Sequence, residues 1–104
     1  MSVKYKLVAQ WKSDSMDSYD AMIRTEDALC EFLTDRHSVD GHDVGSGEVN
    51  IFIDTDNVEV AFSEVKAILM GEGQWEGVRI AYRPRLGERY SILWSESLRE
   101  FRVI

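Results

Sequence analysis

Val39-Asp40-Gly41-His42-Asp43-Val44-Gly45-Ser46-Gly47-Glu48-Val49-Asn50-Ile51-Phe52-Ile53-Asp54 decides the fold. The stretch lies between two segments of helical periodicity and reads as strand, glycine-rich turn, strand. Gly41, Gly45 and Gly47 mark positions where the backbone needs positive φ or a close approach. Residues 49–53 alternate like a half-buried strand, with Val49, Ile51 and Ile53 inward and Asn50 and Phe52 outward. Val39–Val44 is the first arm of a β-hairpin closed at Gly45-Ser46-Gly47.

Upstream, Val3–Trp11 alternates as a strand with Val3, Tyr5, Leu7, Ala9 and Trp11 on one side. Ser13-Asp14-Ser15 is a run of capping residues, and Asp17 suits the positive end of a helix. Tyr19, Met22, Ile23, Leu29, Cys30 and Leu33 then recur at helical spacing, leaving Asp20, Glu26, Asp27, Glu31 and Asp35 outside. This helix is expected to end near Asp35–His37, with Arg36 and His37 in its last turn. Cys30, on the apolar stripe, is expected to be a buried, inert thiol.

Downstream, a second helix is expected from Asp56, with Glu59 at capping-box spacing and Gly71 and Gly73 at its stop. Val78–Arg83 alternates as a strand that Pro84 ends, Arg85–Glu88 turns, and Arg89–Ser95 forms a fifth strand. Ser97–Phe101 reads as a last short turn of helix. The order is β-α-β-β-α-β plus one strand. That predicts an α+β, ferredoxin-like sandwich over residues 1–104, a single domain with an antiparallel sheet, two helices on one face and an extra C-terminal strand. This superfold hosts many unrelated activities, so function has to come from particular residues.

The 104 residues are 44% hydrophobic and 30% charged, with three Trp, four Tyr and four Phe, which argues for a packed core and against disorder. No apolar run approaches the roughly 20 residues of a membrane helix, and residues 1–7 enter a strand pattern with no signal-peptide core, so the cytoplasm is the expected location. One cysteine allows no internal disulfide. The net charge of −7 is uneven: residues 12–71 carry four basic against fourteen acidic side chains, a net of −10, whereas residues 72–104 sum to +1. Such acid disfavours DNA, because phosphates repel it, and suits a basic partner.

The run 39–53, followed by Ala81-Tyr82-Arg83-Pro84 and Tyr90-Ser91-Ile92-Leu93-Trp94, resembles a group of small bacterial proteins with no assigned activity. The resemblance spans most of the chain. It implies a bacterial, cytoplasmic protein with a ferredoxin-like fold and brings no catalytic residues with it.

Two constellations carry possible chemistry. His37, Asp40, His42 and Asp43 have metal-ligand types but match no metal-binding spacing, so no metal is expected and His42 or Asp43 is expected to bond the amides of the hairpin turn. Gly45-Ser46-Gly47 links two strands and lacks Lys, which excludes a phosphate loop. Lys4, Lys6, Arg79 and Arg83 fall by alternation on the sheet face away from the helices, with Asn50 and Phe52. A basic face bearing an aromatic outlines a single-stranded RNA platform, but the aromatic-rich strand motif of those platforms is missing and the chain is acidic. Val8, Phe52, Ala81 and Leu93 on that face outline an apolar interface patch.

The reading is therefore a small binding module without a cofactor. It would act through its open sheet face or its acidic helices, on a protein partner or a second copy of itself. His42, Asp43, Phe52, Arg79, Arg83 and Trp94 are the candidate binding residues. The alternative is a dimeric small-molecule enzyme or ligand-binding protein of the monooxygenase-like ferredoxin-fold type. Its pocket would gather His42, Tyr82, Arg83 and Trp94.

Overall fold

A computed structural model describes residues 4–13, 19–95 and 97–103. The elements are β1 (Tyr5–Lys12), α1 (Tyr19–Phe32), β2 (His37–Gly45), β3 (Glu48–Thr55), α2 (Val58–Gly71), β4 (Arg79–Pro84) and β5 (Ser91–Trp94). The strands form one sheet in the order β2-β3-β1-β4-β5, with every neighbouring pair antiparallel. The protein is thus α+β, a five-stranded antiparallel sheet with two helices. β1 and β2 run parallel with β3 between them, and α1 bridges the two; β3 and β4 run parallel with β1 between them, bridged by α2.

Alternation builds the core. Leu7, Ala9 and Trp11 of β1, Val49, Ile51 and Ile53 of β3 and Ile80 of β4 meet Ala21, Met22 and Leu29 of α1 and Ala61, Val65 and Leu69 of α2. Both helices therefore cover the same sheet face. Each large aliphatic side chain buried there contributes about 1.5–3 kcal/mol. Trp11 is fully buried, and its indole Nε1 donates to the Gln74 carbonyl at 2.9 Å, which joins β1 to the segment after α2.

The hairpin forms where the sequence implies, but Gly45 has neither a positive φ nor a close neighbour; the left-handed positions of the turn are Ser46 and Gly47. Pairing of Gly45 with Glu48 leaves Ser46 and Gly47 as a two-residue turn, and their φ values of 52° and 77° make it type I′. Further along, Asp40 and Gly41 stand opposite Phe52 alone, a bulge with Gly41 at φ 97°. The extra residue shifts the phase of β2. His37 and Val39 before it and His42 and Val44 after it consequently share the helix-side face, while Asp40 is on the other.

Several boundaries differ from expectation. α1 ends at Phe32, and His37 opens β2 instead of closing the helix. The buried stripe of α1 is Ala21, Met22, Thr25, Ala28 and Leu29; Cys30 lies about 100° past Leu29 and is exposed, as is Tyr19. The capping residues Asp14, Ser15 and Asp17 lie outside the described residues. The cap of α2 is Asn57, not Asp56: Asn57 Oδ1 accepts from the Val60 amide at 3.1 Å, and Thr55 Oγ1 holds Asn57 by accepting from its amide at 2.9 Å. The stop of α2 is a Schellman turn, with Gly73 at φ 73° and the Gln74 amide donating to the Leu69 carbonyl at 2.8 Å. Residues 97–103 form no helix.

Candidate functional site

The sheet face turned from the helices is set by register. Lys6 lies opposite Arg83 and Asp54, Val8 opposite Ala81 and Phe52, and Gln10 opposite Arg79 and Asn50. The expected side chains are there, but they are engaged by the fold. Lys6 pairs with Asp40 and with Asp54, and its Nζ sits 5.8 Å from the centre of the Phe52 ring. Burial alone would lower the Lys6 ammonium; bonding to Asp40 and Asp54 outweighs it and raises the group above its ordinary value. Arg79 Nη2 donates to Glu48 Oε2 at 2.8 Å. Arg83 Nη1 donates to the carbonyls of Pro84, Arg85 and Gly87 at 3.2, 2.9 and 3.1 Å, and the guanidinium lies 5.9 Å from the Tyr90 ring. Arg83 thus braces the β4–β5 turn.

This face is not fully open. Residues 97–103 return across it as a strap. Gln10 Nε2 donates to the Arg102 carbonyl at 3.0 Å, and Phe101 packs on Tyr90 with ring centres 5.1 Å apart. Val8 and Ala81 are completely buried. Leu93 does not join them: Ile80 pairs with Trp94 and Ala81 with Ile92, so Leu93 is the extra residue of a bulge and packs with the core on the helix side. The proposed apolar patch is thereby reduced to half-buried Phe52, flanked by the Lys6 ion pairs. Between strap and sheet lies a cavity of about 350 Å³, lined by Gln10, Glu48, Arg79, Leu98 and Arg99 among others.

The histidines are separated from the carboxylates expected beside them. His42 Nδ1 lies 2.9 Å from Glu26 Oε2 on α1, and its ring meets Tyr19 edge-on at 6.1 Å. It makes no bond to the hairpin turn; a type I′ turn closes by backbone geometry and needs no side-chain tie. Asp43 is exposed on β2. His37 is buried, with Nδ1 2.7 Å from Thr55 Oγ1 and Nε2 3.3 Å from Glu64 Oε2. Among the described residues no three His, Cys, Asp or Glu gather as metal ligands. Burial raises the Glu64 carboxyl, but the Thr34 amide and hydroxyl, at 2.9 and 3.0 Å, together with His37, outweigh burial and hold it below its ordinary range.

Trp94 stacks on Trp75 at 5.3 Å and 30°, Trp75 leans on Phe62 at 6.3 Å, and Lys66 Nζ lies 5.4 Å from the Trp75 ring. These aromatics close one end of the core. The pocket set His42, Tyr82, Arg83 and Trp94 does not converge. β2 and β4 are three strand spacings apart, roughly 14 Å, and Arg83 faces away from the helices while Trp94 packs toward them.

The exposed outer surface of the helical layer is acidic. Asp20, Asp27 and Glu31 of α1, Asp35 beyond it and Glu59 of α2 are all exposed, with Arg24 and Arg36 the exposed bases nearby in sequence. Sequence reasoning missed Gln10 and Asn50 as a buried amide pair near half-buried Glu48. Their signal was two amides and a carboxylate at outward positions of central strands, where one covered face was assumed. Comparison of the chain with protein-family models, with curated proteins and with solved structures finds no match.

Proposed function

We propose that the protein is a non-catalytic binding module that presents the acidic outer surface of its helices to a basic protein partner. One observation carries the choice between the two surfaces read from the sequence. The sheet face is occupied by the chain's own residues 97–103 and its Lys6, Arg79 and Arg83 are paired, whereas Asp20, Asp27 and Glu31 stand exposed on α1. Unpaired surface carboxylates of one sign speed encounter with a cationic surface and discriminate against anionic ones.

With this reading go a ferredoxin-like assignment and a bacterial cytoplasmic setting. The β2-β3-β1-β4 order, with two split crossovers and β5 appended at the edge, supports the first. A single unpaired cysteine suits a reducing compartment. Affinity capture on the immobilised protein, beside an Asp27→Asn/Glu31→Gln variant, tests the function. A basic protein held by the native surface, released by salt and lost on the variant supports it. Identical retention by both surfaces refutes it.

A further inference from the structure

The β4–β5 turn displays an apolar tip on a rigid base. Leu86 is 95% exposed, the most open of the large hydrophobic side chains described. A single exposed leucine is ordinary on a protein surface. This one is held out by a built turn. The Gly87 amide donates to the Pro84 carbonyl at 3.0 Å, and Arg83 Nη1 bonds the carbonyls of Pro84, Arg85 and Gly87 around it. A Cβ at Gly87 would stand 3.3 Å from the Pro84 ring, so the turn is tightly closed. Its shape is fixed before anything binds, which lowers the entropic cost of docking it. Arg85 and Arg89 flank Leu86, exposed and without an ion pair among the described residues. With Glu88 between them the tip is still cationic.

A complementary cavity lies at the same end of the sheet. It measures about 320 Å³ and is walled by Tyr5, Val58, Tyr82 and Leu93, with Asp56 and Glu59 supplying anionic charge. Neither carboxylate has an ion pair among the described residues. Tyr5 stands opposite Pro84 in the β1–β4 register, so the cavity adjoins the base of the turn. Leu86 of the same chain does not line it. We propose that a second copy of this chain supplies the occupant. Leu86 of each protomer enters the cavity of the other, and Arg85 and Arg89 meet Asp56 and Glu59. A tip and a cavity side by side form a self-complementary patch, so one twofold axis closes both contacts at once. The chains repel at long range through their net charge of −7. Salt screens that repulsion, while the contact itself sets opposite signs together. The α1 carboxylates Asp20, Asp27 and Glu31 take no part, so the inference is independent of the reading that rests on them.

Sedimentation equilibrium from about 5 to about 500 µM tests the proposal, with circular dichroism to check the fold of each variant. A monomer–dimer equilibrium is expected within that range. Leu86→Asp, at an exposed turn position, is expected to fold and to weaken the dimer by about a hundredfold or more, since each dimer loses two insertions. Glu59→Lys, exposed on α2, is expected to weaken it by about tenfold. On dilution of the native protein, the ring signals of Tyr5 and Tyr82 and the methyl signals of Leu86 are expected to shift together in NMR spectra. A monomer at every concentration overturns the proposal. So does an open-ended oligomer, association unchanged in either variant, or a dimer whose dilution leaves Tyr5 and Tyr82 unmoved.

Discussion

Ser46 carries a left-handed backbone, φ 52°, in a turn whose two central positions both need it. A residue with a Cβ pays roughly 1–2 kcal/mol in that region, and Asn less than Ser because its side chain bonds locally. Ser46→Asn is expected to stabilise the fold by about 0.5 kcal/mol, read as a higher urea midpoint at unchanged slope. Glu64 has a different kind of leverage. It ties Thr34 and His37 to α2, and its carboxyl is held below the ordinary 4.5 in the folded chain. The unfolded chain therefore binds the proton more readily. The stabilisation is complete above the ordinary carboxylate range and is lost as pH falls through the lowered folded value. The Tm advantage of the native protein over Glu64→Gln, present at pH 7, is expected to shrink progressively as pH falls below the ordinary carboxylate range.

Among the elements, Asn57 controls the entry to α2. Asn57→Ala removes the acceptor for the Val60 amide and is expected to cost about 1 kcal/mol in chemical unfolding, whereas Asp56→Ala leaves that cap intact. β3 was legible because Val49, Ile51 and Ile53 alternate with Glu48, Asn50, Phe52 and Asp54, mostly polar, and only a strand satisfies that period. α2 was legible from its apolar spacing, with its start displaced by one residue because Asp56 and Asn57 are both capable caps. β2 was read only in outline. Between His37 and Gly45 the only apolar side chains are Val39 and Val44, five residues apart, so no alternation reveals where the bulge at Gly41 changes phase. The same bulge explains why His37 and His42, five residues apart, share a face.

At the scale of the molecule, alternation correctly sorted Lys6, Phe52, Arg79 and Arg83 onto one face but said nothing of what lies over it. The strap has no repeat of apolar positions; Leu98 and Phe101 find partners by reaching the sheet and Tyr90, which no local pattern encodes. Removal of residues 97–104 is expected to cost about 1–3 kcal/mol and to expose Val8 and Ala81, seen as a lower urea midpoint with new binding of a hydrophobic dye. An unchanged midpoint would show that the strap contributes nothing to the fold.

The exposed sulfur on α1 has a chemical consequence. Partial desolvation, with the anions of Glu26 and Asp27, raises the Cys30 thiol above its ordinary value, so little thiolate forms near neutrality. Two molecules that meet α1 to α1 also bring like charges together. Despite its accessible thiol, the protein is expected to alkylate sluggishly and to form few air-oxidised, covalently linked pairs; non-reducing gels followed over days would register this as a persistent single-chain band.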